Sequence, residues 1–157
     1  MYKLKRTREK LKVTIEQDQT ENVVFAEIHC KDVTEEVARL QRHIKNFDSF
    51  ITAKEDGSNV NVSIEDIYYI ESVDKKTFIY TEKNVSTTDK RLYELEELLD
   101  NRDFFRCSKS MIVHLNKVVS LKPEITRNIR ATLKNGEVVV VSRRYAAELK
   151  KLLGIGG

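Results

Sequence analysis

The amino-acid sequence predicts a mainly β domain of the α+β class, built of short antiparallel strands with two or three helices. After residue 48 the chain consists largely of short runs rich in β-branched and aromatic residues, separated by turn signals. Apolar residues at helical spacing occur in only three segments. One proline and five glycines in 157 residues argue against low complexity, and no apolar run approaches the roughly 18 residues that a membrane helix needs.

The first part of the chain has the pattern of a small β-β-α unit. Residues 11–17 and 23–29 alternate apolar and polar side chains, which predicts two strands joined by a polar turn. Asp32 stands where a helix N-cap is expected, and apolar spacings of three and four predict a helix over 33–46. Because so small a unit buries little surface, we expect it to pack on the rest of the chain or on a second copy.

Alternation and turn dipeptides predict the remaining strands. Asp56-Gly57 and Asn135-Gly136 each lie between two β-rich runs, and Asn-Gly is a strong hairpin signal because both residues tolerate the positive φ of a type I′ turn. Residues 138–141 are four consecutive valines, which predicts a strand buried on both faces or at the centre of a sheet. The predicted strands are 50–54, 60–64, 67–73, 77–81, 85–87, 111–115, 118–121, 127–133 and 137–141.

Two further helices are predicted over 89–100 and 144–153. Ser142 is the expected cap of the second helix, and Gly154 is its expected stop. The first helix has an acidic face, which repels phosphate and is therefore expected to point away from nucleic acid. The predicted inward positions are Leu92, Leu95, Leu98, Leu99, Tyr145, Leu149 and Leu152, and the acidic face consists of Glu94, Glu96 and Glu97.

The net charge of +3 conceals an uneven distribution of charge along the chain. Residues 3–12 contain six Lys or Arg against one Glu, and residues 103–145 contain nine against three acids. Residues 13–48, by contrast, contain eight acids against four basic residues. A basic C-terminal half of this kind suggests a polyanionic partner.

No motif in the sequence indicates catalysis, a metal site or a cofactor. Gly-rich phosphate loops, HExxH, GxSxG and CxxC are all absent from it. Cys30 and Cys107 lie far apart and are each predicted to be small buried hydrophobic residues, and His114 is predicted to be a core or edge histidine. The prediction is a protein that is not an enzyme and takes no small-molecule substrate. The basic N-terminus lacks the apolar stretch of a signal peptide, so the cytoplasm is the default location.

Three places put cations and hydroxyls beside apolar strands, where a rigid frame presents donors to phosphate oxygens and base edges. The central one lies within residues 104–115, FFRCSKSMIVHL. Helix-turn-helix, zinc-finger and bZIP patterns are missing from the sequence, so a DNA reader of this kind uses loops and strand ends. The predicted contact residues are Lys75, Lys76 and Thr77 at a hairpin tip, Arg106, Ser108, Lys109 and Ser110 in the central stretch, and Arg143 and Arg144 before the last helix.

The order IYYIES, a Lys-rich tip, TFIYT, LYELEELL, FFRCSKSMIVHL, LKNGE, VVVVSRRY resembles the LytTR DNA-binding domain family of bacterial transcription regulators. The resemblance covers residues 50–153 and implies an elongated β-sandwich of short antiparallel strands. On this basis we divide the chain into an N-terminal extension, 1–47, for dimerisation or regulation, and a LytTR-type domain, 48–157. About 47 residues are too few for the receiver domain of two-component members, so the chain resembles stand-alone members and its early aspartates are not phosphoacceptors.

The resemblance also implies a partner and a mode of binding. The expected partner is double-stranded DNA with repeated promoter half-sites, bound by loops that enter successive grooves. Base and backbone contacts fall on Lys76, Thr77, Lys109 with its serine neighbours, and Arg143, while Arg106 and Arg144 are implied as phosphate partners. Repeated half-sites favour a homodimer, and the extension is a candidate for contacting a membrane protein or another regulatory partner.

Two alternative functions remain open from the sequence. In the first, the chain is a non-catalytic protein-interaction or signalling module whose N-terminal unit docks a regulatory partner. In the second, it binds single-stranded nucleic acid by stacking bases on aromatic side chains. The residues available for stacking are Tyr68, Tyr69, Phe78 and Tyr80, all in alternating strands where burial in the core is the more common fate.

Overall fold

The computed structural model describes residues 2–3, 11–47, 49–100 and 102–154. The basic segment 3–12 lies largely, and Asp48 wholly, outside the described residues. The strands are β1 (Tyr2–Lys3), β2 (Phe50–Glu55), β3 (Ser58–Ser63), β4 (Ile67–Val73), β5 (Lys76–Thr81), β6 (Val85–Thr88), β7 (Phe104–Ser108), β8 (Met111–His114), β9 (Val118–Pro123), β10 (Ile129–Leu133) and β11 (Val138–Val141). The helices are α1 (Glu35–Asn46), α2 (Leu92–Leu98) and α3 (Arg143–Leu152), with single 3₁₀ turns at Ile64–Asp66 and Leu115–Lys117.

The strands form two sheets in which every pairing is antiparallel. The larger has the order β3-β2-β6-β5-β4-β8-β7, and the smaller has the order β1-β9-β10-β11. Two hydrophobic cores follow from this arrangement. One joins the inner face of the smaller sheet and α3 to β4, β7 and β8, and the other joins the larger sheet to α2. The predicted β-rich α+β fold is confirmed.

The apolar sequence of strand β8 is explained by the two cores between which the strand lies. Ile112 belongs to the core under α2, whereas its neighbour Val113 belongs to the core under the smaller sheet. Both side chains are almost completely buried. A strand covered on both faces has no solvent side on which a polar residue would be favoured.

The valines at 138–141 do not share that environment, and the prediction of burial on both faces was wrong. Strand β11 is an edge strand of the smaller sheet, not its centre. Val139 and Val141 are buried, whereas Val138 and Val140 are each 44% exposed. The outer face of this sheet is not covered by any element that the structure describes, so alternate valines remain in contact with solvent.

The two strands predicted at 11–17 and 23–29 are absent, because residues 11–33 contain no regular secondary structure. Their apolar side chains are exposed, with Val24 at 99%, except for the half-buried Ile28. A two-stranded hairpin without a surface to pack on is only marginally stable, and the structure provides no such surface here. Cys30 in this segment is exposed, contrary to prediction, whereas Cys107 is buried as predicted.

Helix α1 forms as predicted but begins later. Thr34, not Asp32, is the N-cap, and its Oγ1 accepts a hydrogen bond of 3.3 Å from the Val37 N–H. The helix is attached to the domain mainly by polar groups. Arg42 Nε donates to Asp103 Oδ1 at 2.6 Å, and His43 Nδ1 lies 2.9 Å from Glu65 Oε2.

The other two helices also differ in detail from their predicted forms. Helix α2 begins at Leu92, where the Arg91 N–H is held by Glu94 Oε2 at 2.7 Å, rather than at residue 89. Leu98 and Leu152 were predicted to point inward but are exposed, because the residue after each one, Leu99 or Leu153, occupies the core-facing side of the helix end. The stop at Gly154 is confirmed by its positive φ of 63°.

The hairpin at Asn135-Gly136 is confirmed, although its turn type differs from the prediction. Only Gly136 has a positive φ, of 87°, and its N–H donates to the Leu133 carbonyl at 2.9 Å. The pattern is a type I turn followed by a left-handed residue, which is the common three-residue loop.

Candidate nucleic-acid interface

Strand directions bring the three predicted contact segments to one end of the molecule. Strands β4 and β7 both run toward this end, and β8 runs away from it, because Glu71 pairs with Met111 and Phe104 pairs with His114. Two backbone hydrogen bonds of 2.8 Å tie the segments together. The Ser72 N–H donates to the Ser110 carbonyl, and the Ser142 N–H donates to the Cys107 carbonyl. We call this end the basic edge; it comprises residues 74–76, 108–110 and 142–144.

The first segment of the basic edge is the tip between β4 and β5. Asp74 and Lys75 have positive φ angles of 49° and 66°, as a tight two-residue hairpin turn requires. Lys75 and Lys76 are exposed, whereas Thr77 is only 2% exposed and pairs with Thr88 of β6. The two lysines are therefore available to a ligand, and the buried side chain of Thr77 is not.

The second segment is the turn between β7 and β8, and it is held by Arg106. The guanidinium donates to the Ser108 carbonyl at 2.7 Å through Nε and to the Lys109 carbonyl at 2.5 Å through Nη2. Its Nη1 is bound to Glu96 of α2 at 2.8 Å. Since all three nitrogens are engaged and the side chain is only 19% exposed, Arg106 shapes the turn rather than facing solvent. The acidic face of α2 thereby supports the basic edge through Glu96.

We call this set of hydrogen bonds from Arg106 to the carbonyls of Ser108 and Lys109 and to Glu96 the clamp. Outside the clamp, the turn presents one cation and two hydroxyl groups. Lys109 and Ser110 are exposed, and Ser108 is half-buried. The Ser108 hydroxyl accepts a hydrogen bond of 3.2 Å from the Ser110 N–H and lies 3.4 Å from the Ser110 hydroxyl. The turn is thus internally ordered and leaves the side chain of Lys109 exposed to solvent.

The third segment is the first turn of α3. Arg143 and Arg144 are both exposed, and the guanidinium of Arg144 lies 5.6 Å from the ring centre of Tyr145. The Arg143 N–H donates to Asn128 Oδ1 at 2.8 Å, so a residue from the loop between β9 and β10 caps this helix. Asn128 was not predicted from the sequence, since a cap supplied from fifteen positions away leaves no local pattern.

Arg91 is a second residue that was not predicted from the sequence. Its Nη1 donates to the Lys75 carbonyl at 3.0 Å, so it supports the tip from the start of α2. A charged side chain at a helix N-terminus carries no signal of a contact with a hairpin sixteen residues away. Arg91 remains exposed and adds positive charge beside Lys75.

The opposite end of the same strands carries a polar cluster that attaches α1. Asn116 Nδ2 donates to Asp103 Oδ2 at 3.1 Å and lies 3.1 Å from His43 Nε2. His114 is buried there as predicted, with Nδ1 2.7 Å from the Ile67 carbonyl oxygen and the ring stacked on Phe104. Burial lowers the pKa of His114 to about 4, which keeps the ring neutral near pH 7.

Helix α1 therefore lies away from the basic edge. None of the described residues group as three or more side chains able to hold a metal ion. No helix in the described ranges is long and apolar enough to cross a membrane.

The aromatic residues considered for single-strand stacking are engaged with one another or buried. Tyr68 is buried, and Lys117 Nζ lies 5.1 Å from its ring centre. Tyr69 and Tyr80 stack with ring centres 4.3 Å apart, and burial raises the pKa of Tyr69 to about 12. These rings do not form an open row of the kind on which successive bases stack.

This fold and its basic edge define a β domain that presents cationic turns at one end. Comparison with known proteins agrees: residues 57–154 match the model of the LytTr DNA-binding domain. The solved LytTr DNA-binding domain of a response regulator from Bacillus cereus superposes with a TM-score of 0.65 and 34% identity, covering 69% of this chain and 99% of that one. The chain belongs to the LytTR DNA-binding domain family.

Full-length relatives are considerably longer than this chain. The protein named sensory transduction protein LytT from Bacillus anthracis is 34% identical over 145 residues, which is 92% of this chain and 54% of LytT. The transcriptional regulatory protein YpdB of Escherichia coli K12 is 34% identical over 91 residues, 57% of this chain and 37% of YpdB. The chain thus spans about half the length, or less, of these relatives.

Proposed function

We propose that this protein is a sequence-specific, double-stranded DNA-binding transcription regulator that reads DNA through turns rather than through a recognition helix. Membership of a DNA-binding domain family supports the class of partner. The observation that carries the mode of binding is the basic edge, where five exposed cations lie on turns and at a helix start. These are Lys75, Lys76, Lys109, Arg143 and Arg144.

The predicted contact residues are assigned different roles according to their exposure and hydrogen bonds. Exposed lysines and arginines at the edge neutralise backbone phosphates, so affinity falls steeply as salt rises. Lys109 and Arg143 are exposed and are assigned to base edges, as the family resemblance implies, and a good contact there is worth roughly 1–3 kcal/mol against a wrong base. Arg106 is assigned a positioning role, because its nitrogens already bind two backbone carbonyls and Glu96.

Fluorescence anisotropy on duplex DNA from upstream of the protein's own gene tests this proposal. We expect Arg143→Ala to weaken binding and to flatten the preference for that duplex over a scrambled one. Lys45→Ala is the matched control, since Lys45 is an exposed cation on α1, at the opposite end of the sheet. No duplex binding by the folded wild-type protein at low salt contradicts the proposal and favours the protein-interaction module instead.

We propose further that the protein acts as a homodimer through its N-terminal unit. Residues 24–26 and the end of α1 line an open apolar depression of about 760 Å³, in which Phe47 is 83% exposed. Because α1 lies at the end opposite the basic edge, an interface here leaves both DNA-binding edges free. Two linked domains on repeated half-sites bind more tightly than one domain alone.

Sedimentation velocity of wild type and Phe47→Ser tests the dimer. A dimer that dissociates in the variant, with unchanged melting temperature, supports the interface. A wild-type monomer at tens of micromolar contradicts it and points to a different regulatory partner, including a membrane protein, for this surface. On the proposed function the protein works in the cytoplasm, where its DNA is.

A further inference from the structure

A fourth loop reaches the basic edge, although neither the sequence motifs nor the family resemblance assigned it a role. The loop joins β9 to β10 and comprises residues 124–128. Ile129 pairs with Val141, so the loop leaves the sheet at the same end as the start of α3. The hydrogen bond from the Arg143 N–H to Asn128 fixes the loop directly against the third segment of the edge.

The loop holds Arg127 in a defined position. The Glu124 N–H donates to the Asn128 carbonyl at 2.9 Å, and the Arg127 N–H donates to the Glu124 carbonyl at 3.0 Å. Arg127 itself has a positive φ of 69°, a conformation that costs free energy in a residue other than glycine. The loop is therefore a closed, hydrogen-bonded turn that leaves the side chain of Arg127 exposed to solvent.

Between this loop and α3 lies an open depression of about 700 Å³. Three of the six residues that line it are arginines, and none is acidic. The six are Thr126, Arg127, Asn128, Ser142, Arg143 and Arg144. Asn128 already occupies the Arg143 N–H, so positive charge in the depression comes from the guanidinium groups rather than from the helix end. Guanidinium groups bind phosphate oxygens with paired, charge-assisted hydrogen bonds.

We infer that this depression binds a phosphate of the DNA backbone, with Arg127 as a further contact residue and Asn128 as a positioning residue. The inference rests on the proposed function and extends the DNA-facing edge from three segments to four. The depression is continuous with Arg143 and Arg144, so a duplex that meets those residues brings its backbone past Arg127. A phosphate contact carries no sequence information, so Arg127 strengthens binding to all duplexes alike.

The first test compares Arg127→Ala with Arg130→Ala by anisotropy on specific and scrambled duplexes over a range of salt. Arg130 is an exposed arginine three residues away, on strand β10, and its loss changes net charge equally. Loss of one phosphate contact lowers the slope of log K against log salt by about 0.9 and lowers affinity roughly eightfold at 0.1 M salt. We expect this in Arg127→Ala, equally on both duplexes, and an effect of less than about twofold in Arg130→Ala.

The second test separates a phosphate site from a merely structural loop. Asn128→Asp keeps an oxygen that accepts the Arg143 N–H and places a negative charge at the start of α3, where it is stabilising. The same charge repels phosphate. We expect Asn128→Asp to melt at or above the wild-type temperature and yet to bind DNA at least as weakly as Arg127→Ala.

The possible outcomes are distinguishable from failure of the proposed function. Wild-type affinity and salt slope in Arg127→Ala, while Arg143→Ala loses binding, refute the fourth segment and leave the proposed function intact. Equal losses in Arg127→Ala and Arg130→Ala also refute it, since the effect is then one of net charge. Competition with 10 mM inorganic phosphate at constant ionic strength is a further measurement. Loss of only the Arg127-dependent part of the affinity identifies a site for free phosphate rather than for the DNA backbone.

Discussion

Replacing Arg106 with lysine separates two roles that a basic residue beside DNA can play. As a phosphate contact, Arg106 needs only its positive charge, which lysine keeps. As a clamp, it needs the planar guanidinium, because one side chain donates to the carbonyls of Ser108 and Lys109 and to Glu96 at the same time. The structure supports the clamp, so we expect Arg106→Lys to resemble Arg106→Ala.

The magnitude follows from these three hydrogen bonds. Each bond to a carbonyl contributes about 1 kcal/mol, and the pair with the half-exposed Glu96 about 0.5 kcal/mol, so Arg106→Ala costs about 2.5 kcal/mol of unfolding free energy. Lysine keeps one bond at most and costs about 1.5 kcal/mol, or roughly 5 °C in melting temperature for a domain of this size. DNA affinity falls in both variants, because Lys109 is no longer held in its turn.

Thermal unfolding and DNA anisotropy on the same samples test this reasoning. Lys109→Ala is the control: it removes an exposed cation, so affinity falls while the melting temperature stays unchanged. Wild-type stability and affinity in Arg106→Lys, with a salt slope lowered by about one contact in Arg106→Ala, would refute the clamp. Arg106 would then contact phosphate directly, as the family resemblance implies.

Three further predictions concern the rest of the domain. His114 is buried with a pKa near 4, so between about pH 6.5 and pH 4 the unfolded state binds a proton that the folded state does not. Between pH 7.5 and pH 5, the unfolding free energy of the wild type should therefore fall by about 2 kcal/mol more than that of His114→Gln. Equal losses in denaturant melts of the two proteins would contradict this. In Asp103→Asn an amide replaces the carboxylate to which Arg42 and Asn116 both donate, so amide hydrogen exchange in α1 should quicken. Glu35→Gln alters only a surface ion pair with Arg42 and should change this exchange little. The Cβ that Gly136→Ala adds meets no atom within 4 Å, so the loss of unfolding free energy should come only from holding alanine at a positive φ, roughly 1–2 kcal/mol. No loss of stability in chemical denaturation would show that the turn tolerates a side chain at this positive φ.

Much of the fold is readable from local pattern. Nine strands after residue 48 were predicted within a few residues of their positions, since alternation and turn dipeptides are properties of adjacent residues. The three basic segments were each predicted from residue type, whereas their position at one end follows from strand pairing. The boundary after residue 47 and the individual DNA contacts stay predictions.

Local pattern failed where the outcome depended on what lies opposite a segment. Residues 11–17 alternate apolar and polar side chains as a strand does. No described part of the chain pairs with them, and the strand does not form. The run at 138–141 is apolar enough for a central strand, yet it lies at a sheet edge. Thr77 looks like a tip residue, yet the neighbouring strand β6 buries it.

The sequence by itself determined the class of fold, the turns that carry cations and the family to which the chain belongs. These depend on residue type and spacing, which act over a few positions. Tertiary structure alone decided that Arg106 is a clamp, that Asn128 caps a helix fifteen residues away and that Arg127 joins the basic edge. The Asn128 cap and the position of Arg127 depend on contacts between distant segments, and the hydrogen bonds of Arg106 within its own turn are completed by Glu96 of α2. Such contacts exist only once the sheets and helices have packed.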